Sequence, residues 1–268
     1  MLGLITYTKF AAKLQKICEY AKFSNFNFQI SIIFCTFASK MNKPILVFDL
    51  GGVLMNHNTP AYLAAMEQLL GRELMRELGI GSPCNPSDFS LLAQYERGEV
   101  ESADFIGKIC AMAHHRIRPL AVVHAWNLLH GGIPAPRLDY LRLLHAQGYR
   151  LYLLSNNNDL RWKHTCSEYP ELPLLFDRCF LSHEMHCTKP GKEIYLRADA
   201  EIRMNAALEH APSQSSFSSG LSSFNSQSSI IFVDDIAENR HAAELFVGWH
   251  TCASIDDLQH LLQPSSPI

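Results

Sequence analysis

The sequence predicts an α/β protein: a parallel sheet covered by helices on both faces, with a block of helices inserted after the first strand. Three observations predict it. A continuous apolar run, Ile45–Phe48, ends in Asp49 and is followed closely by two glycines, the pattern of a fully buried parallel strand. From residue 136 onward, short apolar runs alternate with amphipathic segments, and that alternation builds right-handed βαβ units. Between the two, residues 57–134 carry apolar side chains at helical spacing and no strand signal.

The inserted block reads as helices over Tyr62–Leu70, Ser87–Tyr95, 102–113 and Pro119–Leu129, the last stopped by Gly131-Gly132. Ser102 is the expected N-cap of the third, with Asp104 in its first turn. Pro136 opens a helix that ends at Gly148. Strand Arg150–Leu154, helix Asp159–Glu168, strand Arg178–Leu181 and helix Lys192–Leu208 follow. Strand Ile230–Val233, helix Ala237–Phe246, strand Trp249–Cys252 and helix Ile255–Leu262 close the chain.

The 268 residues, 47% hydrophobic and 18% charged, hold enough apolar material for a buried core, which excludes global disorder. A net charge of −3 argues against a general nucleic-acid binder, which would carry a basic surplus. It does not exclude phosphorylated small molecules, which need only a few cations in one pocket. Eight scattered cysteines include no CxxC pair, so zinc-ribbon and thioredoxin readings fail and a reducing, cytoplasmic setting is expected.

Two segments stand apart. Residues 1–40 hold five of the ten lysines and no arginine, whereas arginine outnumbers lysine 13 to 5 from Met41 on. This leader reads in three ways: upstream sequence translated ahead of a start at Met41, a secretory signal with Thr36-Phe37-Ala38 at its cleavage site, or a native helix over Phe10–Phe23. Its apolar run is far below the ~20 residues that span a bilayer, so no membrane partner is expected. Residues 213–229 contain ten serines in seventeen positions. Such a stretch buries too little apolar area to offset its ordering entropy, and a flexible surface loop is expected.

In open parallel sheets, ligands bind at the carboxyl ends of the strands. There the sequence offers Asp49-Leu50-Gly51-Gly52 after the first strand and Ser155-Asn156-Asn157-Asn158 after the second. Ser182 and Lys189-Pro190 follow the third, and Asp234-Asp235, with Asn239 one helical turn on, the fourth. Each alone has a bland explanation: a turn cap, a helix N-cap, a solvated loop cation. Together they suit phosphoryl transfer. A carboxylate can attack phosphorus, a hydroxyl and backbone N–H groups can hold phosphate oxygens, and a lysine can neutralise developing charge. Neighbouring carboxylates repel unless a hard cation such as Mg²⁺ lies between them.

The motifs FDLGGVL (48–54), LYLLSNNN (151–158), CFLSHEMHCTKPGKEIY (179–195) and IIFVDDIAENRHAAE (230–244) resemble the haloacid dehalogenase (HAD) superfamily. The likeness is to its phosphatases with a helical cap, in the branch of glucose-1-phosphate phosphatase-like enzymes. YERGEVESADF (95–105) and AWNLLHGGIP (125–134) resemble cap segments. The likeness covers residues 44 to about 260. It implies a three-layer α/β/α Rossmann-like core over 41–56 and 135–268 and a cap over 57–134. It also implies a Mg²⁺-dependent phosphatase acting through an aspartyl-phosphate on a small phosphorylated metabolite, with a sugar phosphate favoured, in a monomer or homodimer.

In that scheme Asp49 is nucleophile and metal ligand, and Lys189 stabilises the phosphoaspartate. Ser155, Asn156 and Gly52 bind phosphate. The carbonyl of Gly51 and Asp235 complete the Mg²⁺ set, with Asp234 and Asn239 in support. The chain departs from the usual pattern at Gly51, where most members carry a second aspartate as general acid and base. That loss, typically worth 10²–10⁴-fold, points to slow turnover or a good leaving group. It also keeps two rivals in view, a non-catalytic binding module and a metal-independent haloacid dehalogenase. The retained Asp234-Asp235 pair speaks against the second.

Other candidates read as bland. His183 and His186 are three apart with no third ligand in sight, which is poor zinc geometry. His114-His115-Arg116 and Arg118 read as a solvated basic face, and Trp126 as interior packing of the inserted block. His57 lies just past the first motif, where the chain enters the insert and a side chain can face the cleft, and no role is assigned to it.

Overall fold

The computed structural model describes residues 43–81, 89–209 and 229–263. The leader over 1–40, and the serine-rich stretch apart from Ser229, lie outside them. Five parallel strands form one sheet: β1 (Ile45–Phe48), β2 (Leu151–Ser155), β3 (Arg178–Leu181), β4 (Ile230–Val233) and β5 (His250–Cys252), in the order β3-β2-β1-β4-β5.

Side chains alternate across the pleat, so each strand feeds two cores. Leu46, Phe48, Leu151, Leu153, Ile231 and Val233 pack on one face with α5 (Ala135–Ala146) and α10 (Ile255–Leu262). Ile45, Val47, Tyr152, Leu154, Phe180 and Phe232 pack on the other with α8 (Lys192–Glu209) and α9 (Ala237–Val247). Burial on both faces is why β1, β2 and β4 read as unbroken apolar runs.

Among the described residues, four helices lie between β1 and α5: α1 (Thr59–Leu78), α2 (Leu91–Glu96), α3 (Ser102–Met112) and α4 (Pro119–Asn127). They build a third core around an aromatic group in which Tyr95 stacks on Phe105 at 4.1 Å and Trp126 meets Phe105 edge-on at 5.0 Å. The third helix begins differently from expectation. Ser102 is its first residue rather than its cap, and Glu101 caps without a side-chain bond. The Ser102 hydroxyl instead donates to Asp159 Oδ2 at 2.8 Å, a contact 57 residues away that outcompetes local capping.

That contact is one of several tying the insert to α6 (Asp159–Glu168) and to the one-turn α7 (Ser182–Met185), which sequence periodicity did not show. Trp126 Nε1 donates to Asn158 Oδ1, Ser182 Oγ donates to the Glu96 carbonyl, and the Arg161 guanidinium lies 4.3 Å above the Trp126 ring. His186 serves the same seam, its Nδ1 3.0 Å from the Arg97 carbonyl, whereas His183 Nδ1 lies 3.2 Å from the Asn157 carbonyl, outside the insert. His114, His115, Arg116 and Arg118 are exposed on the insert. Among the described residues, no helix is long and apolar enough to cross a membrane.

Candidate active site

The strand order reverses direction at β1 and β4, and the crevice outside the carboxyl ends of the strands at such a point is where parallel sheets bind ligands. Phe48 pairs with Val233, so the next residue on each strand, Asp49 and Asp234, emerge side by side. Asp49, Gly51, Ser155, Asn156, Lys189, Asp235 and Asn239 line one cleft of about 260 Å³, roofed by Trp126, Asn127 and His130 of the insert.

Lys189 anchors the floor. Its Nζ lies 3.0 Å from Asp49 Oδ1 and 2.7 Å from Asp234 Oδ2, and its side chain is 1% exposed. Burial disfavours the ammonium, but the two carboxylates outweigh it and hold Lys189 above the usual lysine value. Burial pushes the Asp49 carboxyl up to about 6, with Asp234 adding to the rise and Lys189 opposing it.

The two adjacent aspartates divide in character. Asp234 is fully buried and saturated: it accepts from Lys189, from the Ile236 amide and from Asn239 Nδ2. Asp235 is exposed to the cleft. Ligand oxygens of Asp49, Asp234 and Asp235 all lie within 4.8 Å of one another. Three carboxylates against one ammonium leave two uncompensated negative charges. Hard oxygen donors with that excess suit a divalent cation such as Mg²⁺, with Asp49 and Asp235 as the side chains turned toward it and Asp234 holding Lys189 and Asn239 in place. Asn239 is fixed a second time through its carbonyl, which accepts from the Tyr195 hydroxyl.

Two residues expected at the phosphate have other partners in the structure. The Gly52 N–H donates to the Met55 carbonyl at 2.8 Å, and Gly52 borders a separate groove with Arg137 and Ser254. Its function is steric, because a Cβ there would collide with the Asp235 carboxylate. The Asn156 side chain is also committed: Oδ1 accepts from the Lys189 amide and Nδ2 donates to the Lys189 carbonyl. It clamps the backbone that delivers the lysine. Ser155 ends β2, buried at the cleft floor, where its hydroxyl was expected.

One residue that sequence reasoning left without a role stands in the site. The segment Asn56–Asn58 pairs with the end of the insert, Asn58 N to Leu129 O and Asn56 N to Gly132 O, with His57 bridged to His130. That pairing turns the His57 ring onto Gly51, where a Cβ would collide with its Nε2–Cε1 edge. Desolvation and the charge of Arg161 hold His57 below the ordinary histidine value, and Asp235 acts the other way. The sequence signals for it are its place just past the first motif, where the chain enters the insert, and the missing side chain at position 51.

Comparison with solved structures agrees with this architecture. The chain is similar to the HAD family enzyme BT-2542 of Bacteroides thetaiotaomicron, solved in complex with magnesium and inorganic phosphate, at 24% identity and a TM-score of 0.64. The match covers 83% of this chain and 100% of that one. The chain has the haloacid dehalogenase fold. A HAD-like family hydrolase from Porphyromonas gingivalis matches the same fold at 23% identity and a TM-score of 0.63, over 84% of this chain and 100% of that one. A structure described as a dehalogenase matches at 15% identity and 0.50, over 83% and 98%. No family model matches the sequence. Within the HAD fold, β1 and β4 bring Asp49, Asp234 and Asp235 together at the sheet edge.

Proposed function

We propose that the chain is a Mg²⁺-dependent phosphomonoesterase that hydrolyses a small phosphorylated metabolite, a sugar phosphate by preference, through an aspartyl-phosphate on Asp49. The observation that carries this reading is the cluster of Asp49, Asp234 and Asp235 around a single buried lysine. A bound cation would neutralise the excess charge of the cluster and of the incoming phosphate. Asp49 attacks phosphorus in line, Lys189 holds its carboxylate in position, and Ser155 with nearby backbone N–H groups holds phosphate oxygens. The insert acts as a cap: Trp126, Asn127 and His130 overhang the cleft and keep bulk water from the reacting phosphate.

The magnesium and phosphate bound to BT-2542 support the metal and the ligand class. The dehalogenase reading is weaker, because a reaction that needs no metal gives no reason to gather three carboxylates. The test is phosphate release from a panel of sugar phosphates and an aryl phosphate, with Mg²⁺ and with chelator. Release that needs Mg²⁺ supports the reading; metal-independent turnover of a haloacid, with no phosphate release, overturns it.

A further inference from the structure

We infer that His57 is the proton-transfer residue of this site, filling the place left by the missing side chain of residue 51. The inference rests on the phosphatase reading above and supplies its acid and base. Phosphate ester cleavage through Asp49 has two proton steps. The leaving oxygen must receive a proton as the P–O bond breaks, and the water that attacks the aspartyl-phosphate must lose one. Lys189 is committed to Asp49 and Asp234, and Asp234 has no exposed surface. Asn156 is tied to the Lys189 backbone and Asn239 to Asp234.

A residue two positions after the nucleophile would direct its side chain into the volume beside Gly51. That volume contains the Nε2–Cε1 edge of His57, which would collide with any Cβ there. The glycine and the histidine are therefore two halves of one arrangement: position 51 must lack a side chain for the ring to enter. His57 is exposed within the cleft, so a substrate can reach it. Its backbone is held by the paired segment that joins the insert to β1, through Asn56, Asn58 and the bridge to His130. The catalytic group is thus carried on the hinge of the insert rather than on the nucleophile's own turn.

The balance closes over one turnover. As Asp49 bonds to phosphorus, the bond to the leaving oxygen breaks and that oxygen takes the Nε2 proton of the protonated ring, a form that burial and Arg161 disfavour and Asp235 favours. The neutral ring then accepts a proton from the attacking water, whose oxygen bonds to phosphorus as the phosphorus–Asp49 bond breaks. Inorganic phosphate departs and the imidazolium is restored.

The experiment compares wild type, His57→Gln, Gly51→Asp and the double variant His57→Gly/Gly51→Asp on an alkyl phosphate and on p-nitrophenyl phosphate, all with Mg²⁺. An aryl oxide leaves without a proton and an alkoxide does not. His57→Gln is expected to lose about 10²–10⁴-fold in kcat on the alkyl ester, the usual worth of acid–base help, with KM little changed. On the aryl ester it should give a burst of nitrophenol followed by slow turnover, because only dephosphorylation still needs the base. Gly51→Asp alone should be impaired by collision with the ring, and the double variant should recover alkyl turnover by restoring a carboxylate in the same volume. An alkyl kcat within twofold of wild type in His57→Gln overturns the inference, as does an equal loss on both esters without a burst. If wild type releases no phosphate from either ester, the phosphatase reading fails first and the inference with it.

Discussion

Gly52 and Asp235 approach so closely that a Cβ on residue 52 would collide with Asp235 Oδ2, so a side chain there would have to displace the carboxylate. The backbone there also has φ +79°, a conformation glycine adopts freely. Gly52→Ala is expected to push Asp235 off its position and raise the half-saturating Mg²⁺ concentration by about 10–100-fold, the range for losing the support of a ligand. Activity titrated against Mg²⁺ checks it, and an unchanged midpoint would show that Asp235 is not held by this contact.

Lys189 is set between two buried carboxylates, so its loss should be felt in stability as well as rate. Lys189→Met leaves Asp49 and Asp234 facing each other without compensation, and breaking a buried pair this way costs about 3–5 kcal/mol. Thermal melts in chelator should show the full loss, and added Mg²⁺ should recover part of it by replacing the missing charge.

Asp49 sets a pH dependence whose sign can be worked out. Its carboxyl titrates at 3.8 when solvated and at about 6 when folded. A raised carboxyl pKa favours the native state below about pH 4, and the benefit is lost as pH rises through about 6. In chelator, then, this group's contribution to stability falls between about pH 4 and 6, and Asp49→Asn should be more stable than wild type at pH 7, by about 3 kcal/mol. Activity has the opposite slope, because attack needs the carboxylate: it should fall on the acid side, with a midpoint below about 6 because bound Mg²⁺ favours the carboxylate. Melting curves of both proteins from pH 4 to 8 check the first statement and rate profiles the second.

Arg161 joins the insert to the core by lying 4.3 Å above Trp126 and 5.6 Å from the Tyr62 ring. It also lines the cleft. Arg161→Ala should cost about 0.5–2 kcal/mol of cation–π packing, a few degrees in Tm, and should raise KM for an anionic substrate more than it lowers kcat. A variant with wild-type KM would place Arg161 in structure alone.

Much of this was legible in the sequence where the cause is local. β1, β3, β4, α6 and α10 have the predicted bounds because each is an apolar run or a capped segment closed by its own neighbours. β2 runs one residue later than predicted, since its end is set by the pairing of Ser155 with Leu181 of β3, a partner the local pattern does not contain. The site residues were legible as types at strand ends, yet Gly52 and Asn156 turned out to serve Asp235 and Lys189. Their N–H and amide groups are claimed by partners that only the fold brings near. His57 was hidden for the same reason: its ring is placed by pairing with residues 129–132, at the far end of the inserted helices.

The most direct test of the covalent account is to mix the protein with Mg²⁺ and an aryl phosphate, quench in acid within a turnover, and locate any added phosphoryl group by peptide mass spectrometry. The account predicts one phosphoryl group on the peptide carrying Asp49, labile to hydroxylamine and absent in Asp49→Asn, which should release no phosphate. Undiminished turnover by Asp49→Asn, or a phosphoryl group on any other residue, would contradict it.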